Sequence, residues 1–257
     1  MMTMKADSKL VDALHPSPSS GERRKGCRPH LILLHYTGMP SAARAIEWLA
    51  HPKSKVSCHY VVDDTGEITQ MVPEAARAWH AGVSYWAGET DINSASVGIE
   101  IHNPGHEHGY PDFPLEQMQA VAALCRDIAE RRAIAPEGIL AHSDVAPGRK
   151  IDPGEKFDWA WLAEAGVGHW VEPAPPESGG RSYAINEEGA DVAEAQELLR
   201  RYGYNIEVNG RLDQWTATVL RAFQLHFRPA RVDGRLDAAT LDTARRLLAA
   251  LPVPALS

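Results

Sequence analysis

A chain of 257 residues, 44% hydrophobic and 23% charged, is long enough to bury two modest cores, and two domains are expected. Its formal net charge of -8 argues against a nucleic-acid binder, which would present a basic face. Three widely spaced cysteines, Cys27, Cys58 and Cys125, suggest neither a disulfide framework nor a paired-cysteine metal knuckle, and are read as buried or free thiols in a reducing compartment.

Residues 1–26 read as a polar tail, mixing charge with Ser and Pro, and they hold no apolar run of signal-peptide length. No transmembrane segment is expected either. Taken as written, this points to the cytosol, or to the periplasm if a leader is missing from the sequence. Leu31 to Leu34 then predict a buried strand that hands His35 to a cleft, and residues 42–49 predict a helix behind the capping residue Ser41. Two strand-like runs, 58–63 and 67–72, flank Asp64-Thr65-Gly66, the composition of a hairpin. A further strand is expected over 96–102. Over 115–132, Met118, Val121, Ala122, Leu124, Cys125 and Ile128 recur at helical spacing. This alternation predicts an α/β fold, a mixed β-sheet flanked by helices, over residues 27–170.

A proline-rich, then glycine-rich stretch predicts a linker over 171–182, followed by a helical domain over 183–251. That region opens with a helix over 191–202 and holds a near-repeat, 208–216 against 232–240. In each copy an Asn-Gly or Asp-Gly turn precedes Leu212 or Leu236, and Asp213 or Asp237 is placed to cap the next helix. A small three-helix domain is the expectation.

The chemistry concentrates in the segment from His142 to Gly154. His142 and Asp152 lie ten residues apart in a stretch stiffened by Pro147 and Pro153, so one loop can aim two unlike ligands at one point. His35 is the best third ligand. Two imidazoles and a carboxylate make a catalytic zinc set with a fourth position left for water, which such an ion acidifies to a pKa of about 7. Asp144, two residues from His142, is read as a turn former rather than a ligand.

Within Val97-Gly98-Ile99-Glu100-Ile101-His102, an acid interrupts an apolar strand. Burying it is costly unless it is paired or used, so Glu100 is read as a proton carrier facing the metal, with a salt-bridged structural glutamate as the alternative. Trp79 and His80, followed by Ala81 and Gly82, suit the wall of a groove that holds a sugar or peptide, although a core tryptophan would look the same. Lys150, on spacing alone, is a solvated loop lysine. His59 is read as a hydrogen-bonded wall residue, and His102, His106 and His108 as a mobile cleft rim.

Together, Leu34-His35-Tyr36-Thr37, Ser57-Cys58-His59-Tyr60, Ala78-Trp79-His80-Ala81-Gly82, Val97-Gly98-Ile99-Glu100 and His142 to Gly154 resemble the zinc-dependent N-acetylmuramoyl-L-alanine amidases, which share a fold with peptidoglycan recognition proteins. The resemblance spans about residues 28–166. It implies that His35, His142 and Asp152 bind one Zn²⁺, that Glu100 is the general base or acid, and that Lys150 assists at the carbonyl. The implied reaction cleaves the amide between the lactyl group of N-acetylmuramic acid and L-alanine in peptidoglycan or its muropeptides, in wall turnover or recycling. Non-cleaving recognition proteins and zinc peptidases that cut within the stem peptide are the rival readings. The C-terminal part resembles a small peptidoglycan-binding module through Ala195-Gln196-Glu197-Leu198-Leu199, Tyr202-Gly203-Tyr204 and Val232 to Asp237. It departs from that module at Leu212, where the usual residue is aromatic, which leaves wall binding and a packing role both open.

Overall fold

The computed structural model describes residues 4–175 and 181–251. Strands are β1 (Ala13–Leu14), β2 (Ser20–Glu22), β3 (Leu31–Tyr36), β4 (Tyr60–Val62), β5 (Ile68–Gln70), β6 (Ala76–Ala78), β7 (Ser96–Ile101) and β8 (Ile139–Ala141). The α-helices are α1 (Ala42–Ala50), α2 (Ile92–Ala95), α3 (Leu115–Arg132), α4 (His142–Val145), α5 (Trp159–Glu164), α6 (Ala190–Tyr202), α7 (Gln214–Phe227) and α8 (Ala238–Ala249). Six strands form a mixed sheet in the order β1-β5-β4-β7-β3-β8, antiparallel between β4 and β5 and parallel elsewhere. The predicted hairpin, the strands at 31 and 96 and the long helix are all present. None of the helices among the described residues is long and apolar enough to cross a membrane.

The polar stretch ahead of Cys27 does not trail from the domain. Over its described part it is built in: β1 extends the sheet beside β5, and β2 pairs antiparallel with β6. Asp7 Oδ2 accepts the Glu74 N–H at 2.8 Å, and Arg23 reaches the carbonyls of Ser94 and Ser96 at 2.7 and 2.9 Å. Cys58 and Cys125 are buried free thiols and Cys27 is a half-buried one.

Alternation along β3 sorts the core. Ile32 and Leu34 face one side with Val97, Ile99 and Ile101, against Met118, Val121, Leu124 and Ile128 of α3. Leu31 and Leu33 face the other side, in a cluster that continues without interruption into Leu199, Tyr204, Phe223 and Phe227 of the C-terminal helices. The three-helix unit is therefore docked on the sheet domain through a common core. Of the expected linker, residues 176–180 lie outside the described residues. Inside the unit, Asp213 and Asp237 cap α7 and α8 as expected, accepting Thr216 N–H at 2.7 Å and Thr240 N–H at 2.8 Å. Buried Gln196 and Gln224 hold the two repeated turns, each carboxamide oxygen accepting two successive backbone N–H groups.

One ion cluster away from the cleft ties α3 to the β5–β6 connection. The buried Glu74 carboxylate takes Arg131 at 2.7 Å, Arg132 at 2.6 Å and the Tyr60 hydroxyl at 2.6 Å. Burial alone would raise its pKa, but bonds from Arg131, Tyr60 and Arg132 overcome this and hold it at about 2, against 4.5. Because the folded value lies below the unfolded one, this stabilisation is complete above pH 4.5 and is lost as pH falls toward about 2. Glu74→Gln should cost on the order of 3 kcal/mol in urea unfolding at pH 7. That difference should shrink through the same acid window, and an equal cost at pH 7 and pH 3 would contradict the assignment.

Candidate active site

The parallel register places the chemistry. His35 pairs with Glu100 across β3 and β7, so both side chains leave the same sheet face side by side, and β8 pairs Ala141 with Leu34 immediately before His142. All three strands end together, at the carboxyl edge where ligands of parallel sheets bind. A cleft of about 670 Å³ opens there, lined by His35, Trp79, His80, Glu100, Lys150 and Asp152 among others.

His35, His142 and Asp152, all buried, form a set that could hold a metal ion, their ligand atoms within 4.8 Å of one another. His35 Nδ1 lies 2.9 Å from His142 Nδ1 and 3.1 Å from Asp152 Oδ2, and the His142 Nδ1 to Asp152 Oδ2 distance is 3.0 Å. The far nitrogens are committed elsewhere: His142 Nε2 to the Ala81 carbonyl at 3.1 Å, His35 Nε2 to His80 Nδ1 at 3.0 Å. With Nε2–H donating in each ring, Nδ1 carries a free lone pair. Two such lone pairs and a carboxylate oxygen this close repel one another unless a cation sits among them, so the donor set fits a divalent metal. Burial, then the neighbouring His142, lowers the His35 pKa to about 4 and keeps it neutral, as a ligand must be.

The backbone joins the ligand segments. Ser143 N–H donates to the Asp152 carbonyl at 3.0 Å, and Arg149 Nε donates to Val83 O at 3.0 Å, stapling the ligand loop to the segment carrying Trp79 and His80. His80 is more than a wall residue. Its Nε2 faces Ser96 Oγ at 3.3 Å, completing a relay that orients His35, and its pKa is lowered well below normal by burial first and His35 second. His59 is hydrogen-bonded as expected, its Nδ1 accepting the Gly98 N–H at 2.9 Å, but it is fully buried against the His80 ring and does not line the cleft wall. The three expected rim histidines divide: His106 lines the cleft, bonded to Glu155 at 3.0 Å, His108 is exposed outside the cleft lining, and His102 is buried behind Thr37 at 3.1 Å and is not part of the rim.

Glu100 Oε2 is buried with no hydrogen-bond partner among the described residues. Burial, with the Asp152 charge adding, raises its pKa to about 8, and Lys150 pulls the other way. A buried carboxylate oxygen with no partner beside such a set is a candidate for proton transfer. Tyr36, Trp48 and Arg149 also line the cleft, and sequence reasoning did not single them out. For Tyr36 the signal was its place directly after His35.

A β-carbon on Gly98 would lie 2.6 Å from three atoms of the His80 ring, so this position needs glycine for the close approach. Gly98→Ala should displace His80, free the His35 ring and weaken zinc binding by about 10-fold or more, read by chelator competition. Undiminished affinity in a folded Gly98→Ala protein would show that His80 does not orient the ligand.

Two family models match the chain: N-acetylmuramoyl-L-alanine amidase over residues 25–155, and a peptidoglycan binding domain over residues 188–243. The N-acetylmuramoyl-L-alanine amidase AmiD of Escherichia coli (strain K12) is 38% identical over 237 residues, covering 86% of this chain and 83% of its own length. The solved complex of E. coli AmiD with the substrate anhydro-N-acetylmuramic acid-L-Ala-D-gamma-Glu-L-Lys superposes with a TM-score of 0.73 at 34% identity, over 89% of this chain and 92% of that one. AmpDh3 of Pseudomonas aeruginosa superposes with a TM-score of 0.74 at 30% identity, over 98% of this chain and all of that one (100%).

Proposed function

The chain belongs to the N-acetylmuramoyl-L-alanine amidase family, and from that premise we propose that it hydrolyses the amide joining the lactyl group of N-acetylmuramic acid to L-alanine in muropeptides. The observation that carries this reading is the buried Glu100 Oε2, without a hydrogen-bond partner among the described residues, in the same cleft as the buried His35, His142 and Asp152 set. Those three side chains would hold one Zn²⁺. When bound, the ion supplies a Lewis acid for the scissile carbonyl and makes water a better nucleophile at neutral pH.

The chain's own groups do the rest. Glu100 accepts the proton of the attacking water and delivers it to the alanine nitrogen as the C–N bond breaks. Its raised pKa suits both halves of that exchange, because a base near neutrality gives its proton back readily. Lys150, which lines the same cleft and lowers the Glu100 pKa, is assigned to stabilising the oxygen on which negative charge develops. Trp79 and His80 line the cleft and are assigned to substrate contact, His80 while also aiming His35.

Anhydro-muramyl peptides, the substrate class of the AmiD complex, are the proposed substrates. Fragments of that size can be met in the cytosol, the compartment we assign, during wall recycling. Residues 27–170 act as the catalytic domain and residues 183–251 as the peptidoglycan-binding one, with 171–182 between them.

Glu100→Gln should keep one zinc per chain yet lose about 10²–10⁴-fold in turnover, whereas His142→Ala should lose the metal. Mass spectrometry of zinc-loaded protein with anhydro-muramyl tetrapeptide should show intact tetrapeptide with a free L-alanine amine. A cut inside the peptide, or full activity in Glu100→Gln, would overturn the assignment. As pH falls, kcat/KM should decline once Glu100 protonates, at a pH above the ordinary glutamate value of 4.5, and this limb should vanish in Glu100→Gln.

A further inference from the structure

Asp144 is buried two residues beyond His142, and its own turn supplies one hydrogen bond, from the Ala141 N–H to Oδ2 at 2.8 Å. Two more come from the C-terminal unit. The Tyr204 hydroxyl donates to Oδ1 at 2.5 Å, and His226 Nδ1 lies 2.6 Å from Oδ2. A buried carboxylate is costly unless its oxygens are satisfied, so most of the compensation for this one is supplied from the second unit.

Both donors are themselves held by aromatic contacts that cross between the units. His226 stacks on Trp159 with ring centroids 3.7 Å apart, and Tyr204 meets Trp86 edge-on at 4.8 Å. Close backbone approaches reinforce the fit: a β-carbon on Gly148, in the ligand loop, would lie 2.7 Å from the Thr218 methyl, and one on Gly203 would lie 2.6 Å from the Trp86 ring. Behind Asp144, the Ser143 N–H to Asp152 carbonyl bond ties its turn to the other ligand segment.

We infer that the C-terminal unit is part of the metal site: Asp144, gripped by Tyr204 and His226, is a positioning residue that fixes the turn presenting His142 and, through Ser143, the segment carrying Asp152. The inference rests on the reading of His35, His142 and Asp152 as metal ligands. It assigns to the second unit a task separate from any contact with peptidoglycan.

The experiment uses the full chain as wild type, Tyr204→Phe, His226→Leu, His226→Asn and, as a surface control in the same unit, Arg245→Ala, whose side chain pairs with exposed Glu194 at 2.6 Å. Zinc dissociation constants come from chelator competition, and site geometry from the visible spectrum of the cobalt-substituted proteins. Tyr204→Phe and His226→Leu should each bind zinc about 10-fold or more weakly and shift the cobalt bands. His226→Asn, whose amide nitrogen can stand where Nδ1 stood, should recover most of the affinity, Arg245→Ala should match wild type, and pelleting with wall sacculi should be equal for all. Wild-type zinc affinity and cobalt bands in folded Tyr204→Phe and His226→Leu would overturn the inference. If His226→Leu fails to fold, Tyr204→Phe, which lacks one oxygen atom, decides alone. Failure of the wild type itself to bind zinc would instead remove the ligand assignment beneath it.

Discussion

The mutual closeness of three electron-pair donors is the constraint on which the rest depends. His35 Nδ1, His142 Nδ1 and Asp152 Oδ2 stand 2.9–3.1 Å apart in a buried place, an arrangement that their own interactions do not favour. It has to be imposed from outside. Strand register imposes part of it, since β3 is hydrogen-bonded to β7 on one side and β8 on the other and cannot slip without turning its apolar residues to the wrong face. Committed far nitrogens impose another part, through Ala81 O and His80. The nine residues between the two candidate loop ligands are held by their own backbone, by Arg149 and by the C-terminal unit.

Glu100 extends the same logic. It sits beside His35 on the one sheet face with room for polar groups, while its neighbours Ile99 and Ile101 point into the packing against α3. Burial on that face raises its pKa, with the Asp152 charge adding to it.

Most of this was legible where the signal is local. The helix over 115–132 is present between those bounds because its apolar spacing matches one buried face, and the two aspartate caps follow from turns three and four residues before them. The three residues that come together as a candidate metal set could be picked out because each carries a local context: an apolar run before His35, stiff turns around His142 and Asp152. What escaped is non-local or too short to have a period. Strands of two and three residues, such as β1 and β2, leave no alternation to read, so a segment built into the sheet looked like a tail. The bond from Asp144 to His226 spans 82 positions, and no spacing rule reaches across it. Asp144 is a turn former, through the Ala141 N–H, but the larger part of its bonding comes from elsewhere in the chain.

Docking of the second unit leaves another of its surfaces exposed. The docked side is built from Tyr204, Phe223, His226 and Phe227, all buried, and from Trp86 and Trp159 opposite them. Ile185, Val208 and Trp215 of the same unit stay exposed, and the Trp215 indole N–H donates to the Asn205 carbonyl at 2.8 Å. The docked side also carries two buried polar donors. Apolar packing alone would hold the unit in place, whereas hydrogen bonds to a single carboxylate also fix its angle, and with it the turn on which His142 stands.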